Sequence, residues 1–123
     1  MISENEIDAE IMLTLDPAIL EQHGGYATCA RNLWVSGRHS FLCVEADDEI
    51  GRWLPLYSNS GIGRSELSKD GRIGHQFWTD RKLYYHPQQV WYAKHSAVVA
   101  AAMGDLSTPA TRNTASTSSM PNV

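Results

Sequence analysis

The sequence predicts a small α+β domain made mostly of antiparallel β-structure, and three observations lead there. All eleven Phe, Trp and Tyr residues lie between Tyr26 and Tyr92. Within that block, short apolar runs alternate with turn-forming residues, the pattern of a small sheet closed on itself rather than of a helical bundle. An acidic leader precedes the block and a polar stretch follows it. The chain therefore divides into an acidic helical arm over 1–25, a β-barrel domain with a C-terminal helix over 26–103, and a disordered tail over 104–123.

Ser3-Glu4-Asn5-Glu6 has the S-x-x-E form of a capping box, and Ile7, Ile11 and Met12 follow at helical spacing, so a short amphipathic helix is expected over about 3–13. Asp16-Pro17 offers a second N-cap with proline at the first helical position, and Gly24-Gly25 a stop. Beyond Tyr26 the period changes. Leu33-Trp34-Val35 and Phe41-Leu42-Cys43-Val44 read as strands joined through Ser36-Gly37-Arg38-His39. After the solvated acidic turn Asp47-Asp48-Glu49, residues 52–58 form the next strand, with Pro55 marking an edge or a bulge because it cannot donate to a ladder.

Asn59 to Arg64 is loop chemistry and Lys69-Asp70-Gly71-Arg72 a tight turn. Gln76–Thr79, Leu83–Tyr85 and Val90–Tyr92 complete a set of five or six strands, and the alanine-rich run from Ala93 to Met103 is a helix. Residues 105–123 are dominated by Ser, Thr, Asn, Pro and Ala, too polar to offset chain entropy by burial.

Composition removes several function classes. No apolar run reaches the roughly 20 residues that span a bilayer, and the first residues are acidic where a secretory leader is basic, which points to a cytoplasmic protein without a membrane role. Cys29 and Cys43 are too few for a disulfide framework, and the five histidines show no metal-binding spacing, so neither a metal nor another cofactor is expected. Gly61-Ile62-Gly63-Arg64 lacks the lysine and the following helix of a phosphate loop. Charge is unevenly spread: residues 1–21 hold six acids and no Lys or Arg, whereas residues 31–94 hold nine bases against seven acids. An acidic arm on a mildly basic core suits a polyanion ligand or an arm laid across that core.

Cys43 and His39, four residues apart on one face of a strand, have the spacing of a nucleophile and its base. Cys43 lies between Leu42 and Val44, however, with nothing adjacent to lower its pKa. Aromatic rings among basic residues make a stacking platform for single-stranded nucleic acid, and Arg64, Arg72, Trp78 and Tyr85 are the candidates. Arg38 at the first hairpin and Ser58 at the end of the 52–58 strand form the remaining constellation. A guanidinium beside a hydroxyl suits metal-free RNA cleavage, which activates a ribose 2′-OH and stabilises a phosphorane.

The order of these segments resembles the MazF/PemK family of small SH3-like barrels, toxins that cleave RNA. Arg31-Asn32-Leu33-Trp34-Val35 is similar to the family's opening Gly-Asp-Ile-Trp-Val strand. Arg38-His39-Ser40-Phe41-Leu42-Cys43-Val44 falls where the family has Arg-Pro and an aliphatic strand, and Leu54-Pro55-Leu56-Tyr57-Ser58-Asn59-Ser60 matches its Val-Pro-x-Thr-Ser segment. His86-Pro87-Gln88-Gln89-Val90 resembles its Asp-Gln-Val step, and a helix follows in both, so the resemblance covers residues 31–103. Arg31-Asn32 replaces Gly-Asp, and His39-Ser40 replaces the proline after the arginine. The resemblance implies a toxin-type, metal-independent endoribonuclease on single-stranded RNA, in an SH3-like barrel of five or six strands, dimeric and neutralised by a protein antitoxin. Arg38 would then be the acid/base and electrostatic residue and Ser58 would support the scissile phosphate. The other reading is a non-catalytic barrel that binds a protein or nucleic acid, such as a phage or mobile-element modulator of a host complex, with the acidic arm imitating a phosphate backbone.

Overall fold

A computed structural model describes residues 2–103 and 112–123. It is α+β and mostly β: an antiparallel five-stranded sheet in the order β1-β3-β4-β7-β2 and a two-stranded ribbon β5-β6. The strands are β1 Met12–Leu15, β2 Tyr26–Ala27, β3 His39–Ala46, β4 Ile50–Pro55, β5 Ser65–Glu66, β6 Tyr84–Tyr85 and β7 Trp91–Lys94. The helices are α1 Pro17–Gln22, α2 Gln76–Thr79 and α3 His95–Ala101. Among the described pairings none joins β1 to β2, so the main sheet is open where a closed one was expected. No helix of the described residues is long and apolar enough to cross a membrane.

Local chemistry sets several elements. Asp16 accepts the Ala18 N–H at 2.9 Å and starts α1 with Pro17 at its first position. Gly24 stops it at φ 87, a backbone conformation costly for any residue with a Cβ. Asp47 Oδ1 accepts the N–H groups of both Glu49 and Ile50 at 2.7 Å and closes the β3–β4 hairpin. β4 lies inside the sheet, not at an edge; Pro55 ends it beyond the Trp53–Trp91 pair, where no ladder hydrogen bond to β7 is needed. The register irregularity falls on β3 instead, between Cys43 and Glu45.

The sheet is covered on both faces, which is why Phe41, Leu42 and Cys43 are consecutive and all fully buried. On one face Leu13, Leu15, Phe41, Cys43, Trp53 and Trp91 pack with Leu20 and the α3 residues Ala97, Val98 and Ala101. The other carries Met12, Leu42 and Leu56 beneath Leu67, Trp78, Leu83 and Ala115.

Four expectations change. The capping box exists in part, Ser3 N–H donating to Glu6 Oε1 at 3.1 Å, but it closes only the 3-10 turn Glu4–Glu6. Glu10 adopts φ 84, which no helix accommodates, and Met12–Leu15 then pairs with β3 from Leu42 to His39. The arm expected over 1–25 is therefore not separate from Ile2 onward: Ile2, Ile7, Ile11, Leu13, Leu15 and Leu20 belong to the main core. Residues 31–35 form a 3-10 turn, Arg31–Leu33, and an irregular stretch rather than a strand, because Trp34 turns inward to donate its Nε1–H to the Cys29 carbonyl at 3.0 Å and to pack on Trp91. Gln76–Thr79 is a helical turn, its ends closed by the His75 and Gln76 carbonyls, which aims Trp78 into the second core.

The fourth concerns the tail expected to be disordered over 104–123. Residues 104–111 lie outside the described residues, whereas 112–123 run back along the body. Thr114 exchanges both backbone hydrogen bonds with Ile73, at 2.8 and 2.9 Å, while its neighbours Asn113 and Ala115 bond Met12 and Glu10. Backbone groups make these bonds, so a polar composition does not prevent them. Arg112 is buried and its Nε donates to Glu6 at 3.0 Å.

That contact titrates. The Arg112 hydrogen bond holds the Glu6 carboxyl below its ordinary range, aided by Ser3 and opposed by partial desolvation. A carboxylate depressed in the folded state gives stability that is present above its unfolded pKa and lost as pH falls through the folded value. Protection of the 112–123 amides, taken relative to their intrinsic exchange at each pH, is expected to hold from neutral pH to about 4 and to fall below it, since an unperturbed Glu titrates at about 4.3. Glu6→Gln should show the weakened protection already at pH 7, measured by mass spectrometry; equal protection in variant and wild type would remove the ion pair's role.

Candidate active site

The antiparallel step that pairs Phe41 with Pro55 continues past β4, since Leu56 N–H donates to the Ser40 carbonyl at 2.8 Å. It brings His39 opposite Tyr57, where the rings meet edge-on at 5.6 Å. One further step places Arg38 and Ser58 at the same end of the hairpin, both exposed, with no hydrogen bond between them.

Tyr57 is the centre of this end. Its backbone exchanges two hydrogen bonds of 2.8 Å with Tyr84 and so ties the main sheet to the β5–β6 ribbon. Its hydroxyl donates to Gln89 Oε1. Arg64 lies over the ring with its guanidinium carbon 3.6 Å from the centroid, held there by an Nη1 hydrogen bond of 3.1 Å to the Asn59 carbonyl. Burial pushes the Tyr57 hydroxyl above its usual pKa, with the Arg64 charge opposing, so it remains a neutral donor at physiological pH.

His39 is half-buried, and its Nδ1 has no hydrogen-bond partner. Desolvation lowers its pKa, the Gly37 carbonyl opposes this, and the Arg64 charge adds to the lowering. Its ring is consequently neutral at pH 7, and because Nδ1 is enclosed the nitrogen left to meet a ligand is Nε2.

The turn His86-Pro87-Gln88-Gln89 supplies two more groups. The Gln89 N–H bonds the His86 carbonyl at 3.0 Å, and the Gln88 N–H donates to His86 Nδ1 at 3.1 Å. Because Nδ1 accepts, the neutral ring carries its proton on Nε2. That nitrogen abuts Gly63, where a Cβ would stand 2.6 Å away and where φ is 76. Glycine is required twice over, for the left-handed backbone and for the close approach.

Of the residues expected to bind nucleic acid, Arg64 belongs to this site. Tyr85 is half-buried, pairs with Ser65, and lines a separate cleft of about 410 Å³ between the ribbon and residues 118–122. Arg72 and Trp78 are corrections, since both are buried. Arg72 Nε donates to Ser68 O at 3.0 Å, Nη1 to Trp78 O and Arg81 O at 2.8 and 2.7 Å, and Nη2 to Leu67 O at 2.8 Å. The guanidinium is thus committed to four carbonyls and stacks over Trp78 at 4.7 Å, with no face left for a phosphate. Trp78 spends its Nε1–H on Thr114 O at 3.0 Å. Cys43 does not pair with His39: its thiol donates to the Glu45 carbonyl at 3.4 Å, and burial pushes its pKa up to about 12.

Tyr57, His39, His86 and Gln89 fall in segments that the sequence singles out, but nothing in those segments says that the four meet. They meet because the β3–β4 register and the Tyr57–Tyr84 bridge bring distant segments together. Among the described residues, no three His, Cys, Asp or Glu side chains are grouped to hold a metal ion. Compared with protein-family models, with curated proteins and with solved structures, the chain matches none.

Proposed function

We propose that this chain is a metal-independent endoribonuclease of the toxin type acting on single-stranded RNA. The observation that carries the reading is His39, a neutral half-buried imidazole set against Tyr57 beneath Arg64, at the hairpin end that also bears Arg38 and Ser58. In this reading the His39 ring takes the proton of a ribose 2′-OH, the 2′-oxygen attacks phosphorus, and the 5′-oxygen takes a proton from water and leaves, giving a 2′,3′-cyclic phosphate and a free 5′-hydroxyl. Arg64 and Arg38 stabilise the charge that accumulates on the phosphorane, and Ser58 donates to a non-bridging oxygen.

The finer fold class, an SH3-like barrel, belongs to the same proposal, supported by the antiparallel order β3-β4-β7 and by Tyr57, which links that sheet to the ribbon. So do a cytoplasmic setting, a homodimer and a protein antitoxin. The competing reading relies on free acids in the leader to imitate a phosphate backbone. Glu6 is paired with Arg112, Glu21 with Arg31, and Asp16 caps α1, which favours the enzymatic reading.

The test is incubation with a mixed RNA pool in excess EDTA, beside Arg38→Ala, His39→Gln and Ser58→Ala. Loss of a general base costs about 10²–10⁴-fold, and His39→Gln is expected to fall in that range, with Arg38→Ala and Ser58→Ala reduced less. Since His39 titrates below the ordinary histidine value, wild-type cleavage should rise with pH with its midpoint below about 6.5. Undiminished cleavage in all three variants would overturn the assignment.

A further inference from the structure

We infer that Gln89 reads the base beside the cleaved bond, and that the site prefers a base with an exocyclic carbonyl, uracil or guanine, over one with an exocyclic amino group, adenine or cytosine. The inference rests on the endoribonuclease reading and narrows the substrate class of the same site. Gln89 is 9% exposed, so the fold rather than solvent places its side chain. Its backbone N–H closes the 86–89 turn on the His86 carbonyl at 3.0 Å, and its Oε1 accepts the Tyr57 hydroxyl. The Nε2 amino group has no hydrogen-bond partner among the described residues, and unlike His39 Nδ1 it is not enclosed by protein. A largely buried amide with its oxygen satisfied and its N–H donors open is complementary to an acceptor that arrives from outside.

The amide lies at the tip of the Tyr57 ring, which meets His39 edge-on and carries Arg64 over its face. A phosphate held by Arg64, with its 2′-OH toward His39, therefore brings a neighbouring base to the hydroxyl end of that ring. Single-stranded RNA leaves the Watson–Crick edge of such a base free to be read. On that edge uracil O4 and guanine O6 accept hydrogen bonds, whereas the cytosine N4 and adenine N6 amino groups donate them. As long as the Tyr57 hydroxyl donates to Oε1, the amide keeps its oxygen inward and offers only donors outward. A donor set against an amino group leaves both unpaired, and that penalty is the source of the discrimination. Tyr57 holds the orientation and Gln89 reads the base.

The experiment digests a single-stranded RNA pool of randomised sequence in excess EDTA and sequences the cut ends. For wild type, uracil and guanine are expected to outnumber adenine and cytosine by about tenfold at one position beside the cleaved bond, the worth of one hydrogen bond whose loss leaves a donor unpaired. Gln89→Glu keeps an oxygen for the Tyr57 hydroxyl and turns the outward donor into an acceptor, so the preference there should reverse. Gln89→Met keeps the length of the side chain without the amide and should show no preference at that position; thermal melts verify that both variants fold. Tyr57→Phe frees the amide to turn, and its preference should shrink; should the Gln89 variants unfold, an undiminished preference in Tyr57→Phe overturns the inference. Wild type that favours adenine and cytosine, or cuts without regard to the base, also overturns it, as does a Gln89→Glu profile like that of wild type. Equal loss of preference in the Glu and Met variants, with no reversal, would make Gln89 a positioning residue and overturns it too. A pool left wholly intact by wild type overturns the endoribonuclease reading itself, whereas unbiased cutting overturns only the role of Gln89.

Discussion

Arg72→Met is expected to destabilise the domain by about 4 kcal/mol, because it orphans four backbone carbonyls at once, each worth about 1–3 kcal/mol when left without a donor. This is the low end of the range that four such carbonyls span, since some of them regain water as the loop loosens. Methionine fills the volume of the side chain and so removes packing loss from the comparison. Arg72→Lys should lie between wild type and Met, as one ammonium cannot reach carbonyls contributed by Leu67, Ser68, Trp78 and Arg81 together. Domains of this size are stable by only about 5–15 kcal/mol, so urea midpoints will separate the three clearly. A Met variant within about 1 kcal/mol of wild type, less than a single lost carbonyl contact, would show that the 67–81 loop holds its shape without the guanidinium.

Trp91→Ala has an effect of similar size from a different source. Trp91 is fully buried on β7, its ring 5.1 Å from that of Trp34 and 5.9 Å from that of Phe41. Truncating such a residue costs about 3–5 kcal/mol through lost transfer energy and the remaining cavity. Trp91→Phe is the informative companion. Trp91 Nε1 is buried without a hydrogen-bond partner, and phenylalanine removes that unpaired donor along with part of the ring. The two terms oppose one another, and the net loss should be no more than about 1.5 kcal/mol. A Phe variant as unstable as the Ala variant would show that shape at the Trp34–Trp91–Phe41 contact outweighs the unpaired N–H.

What was legible in the sequence was whatever is decided by neighbours along the chain. Asp16-Pro17 starts a helix and Asp47-Asp48-Glu49 turns a hairpin through hydrogen bonds two or three residues long. The alanine-rich run after Ala93 supplies α3. Ile7, Ile11 and Met12 satisfy helical spacing, yet β3 offers a partner for 12–15 and Glu10 breaks the helix, so a long-range pairing overrode the local period. The same holds for 112–115, whose contribution is backbone hydrogen bonding, a property that every residue except proline shares.

The candidate site divides along this line too. Arg38 and Ser58 reach one hairpin end because β3 and β4 pair in the expected order. Arg72 and Trp78 were misplaced because a charge and a ring do not reveal which way they point, and a guanidinium surrounded by carbonyls has the same letter in the sequence as one on the surface. The closeness of His86 to Gly63 was invisible because it depends on the pairing of Ser65 with Tyr85.

The Thr114 contact has a consequence for biosynthesis. A chain emerging from the ribosome presents Glu10 to Met12 long before residues 113–115 exist, and those residues occupy their side of the first strand. Until roughly a hundred residues later in translation, at a rate on the order of 5–20 residues per second, that edge offers unsatisfied donors and acceptors beside the apolar Ile11 and Met12. An incomplete nascent chain is thus exposed to pairing with another copy for several seconds. Completion of this edge is a late event, set by the arrival of residues 113–115 rather than by the speed with which the hairpins form.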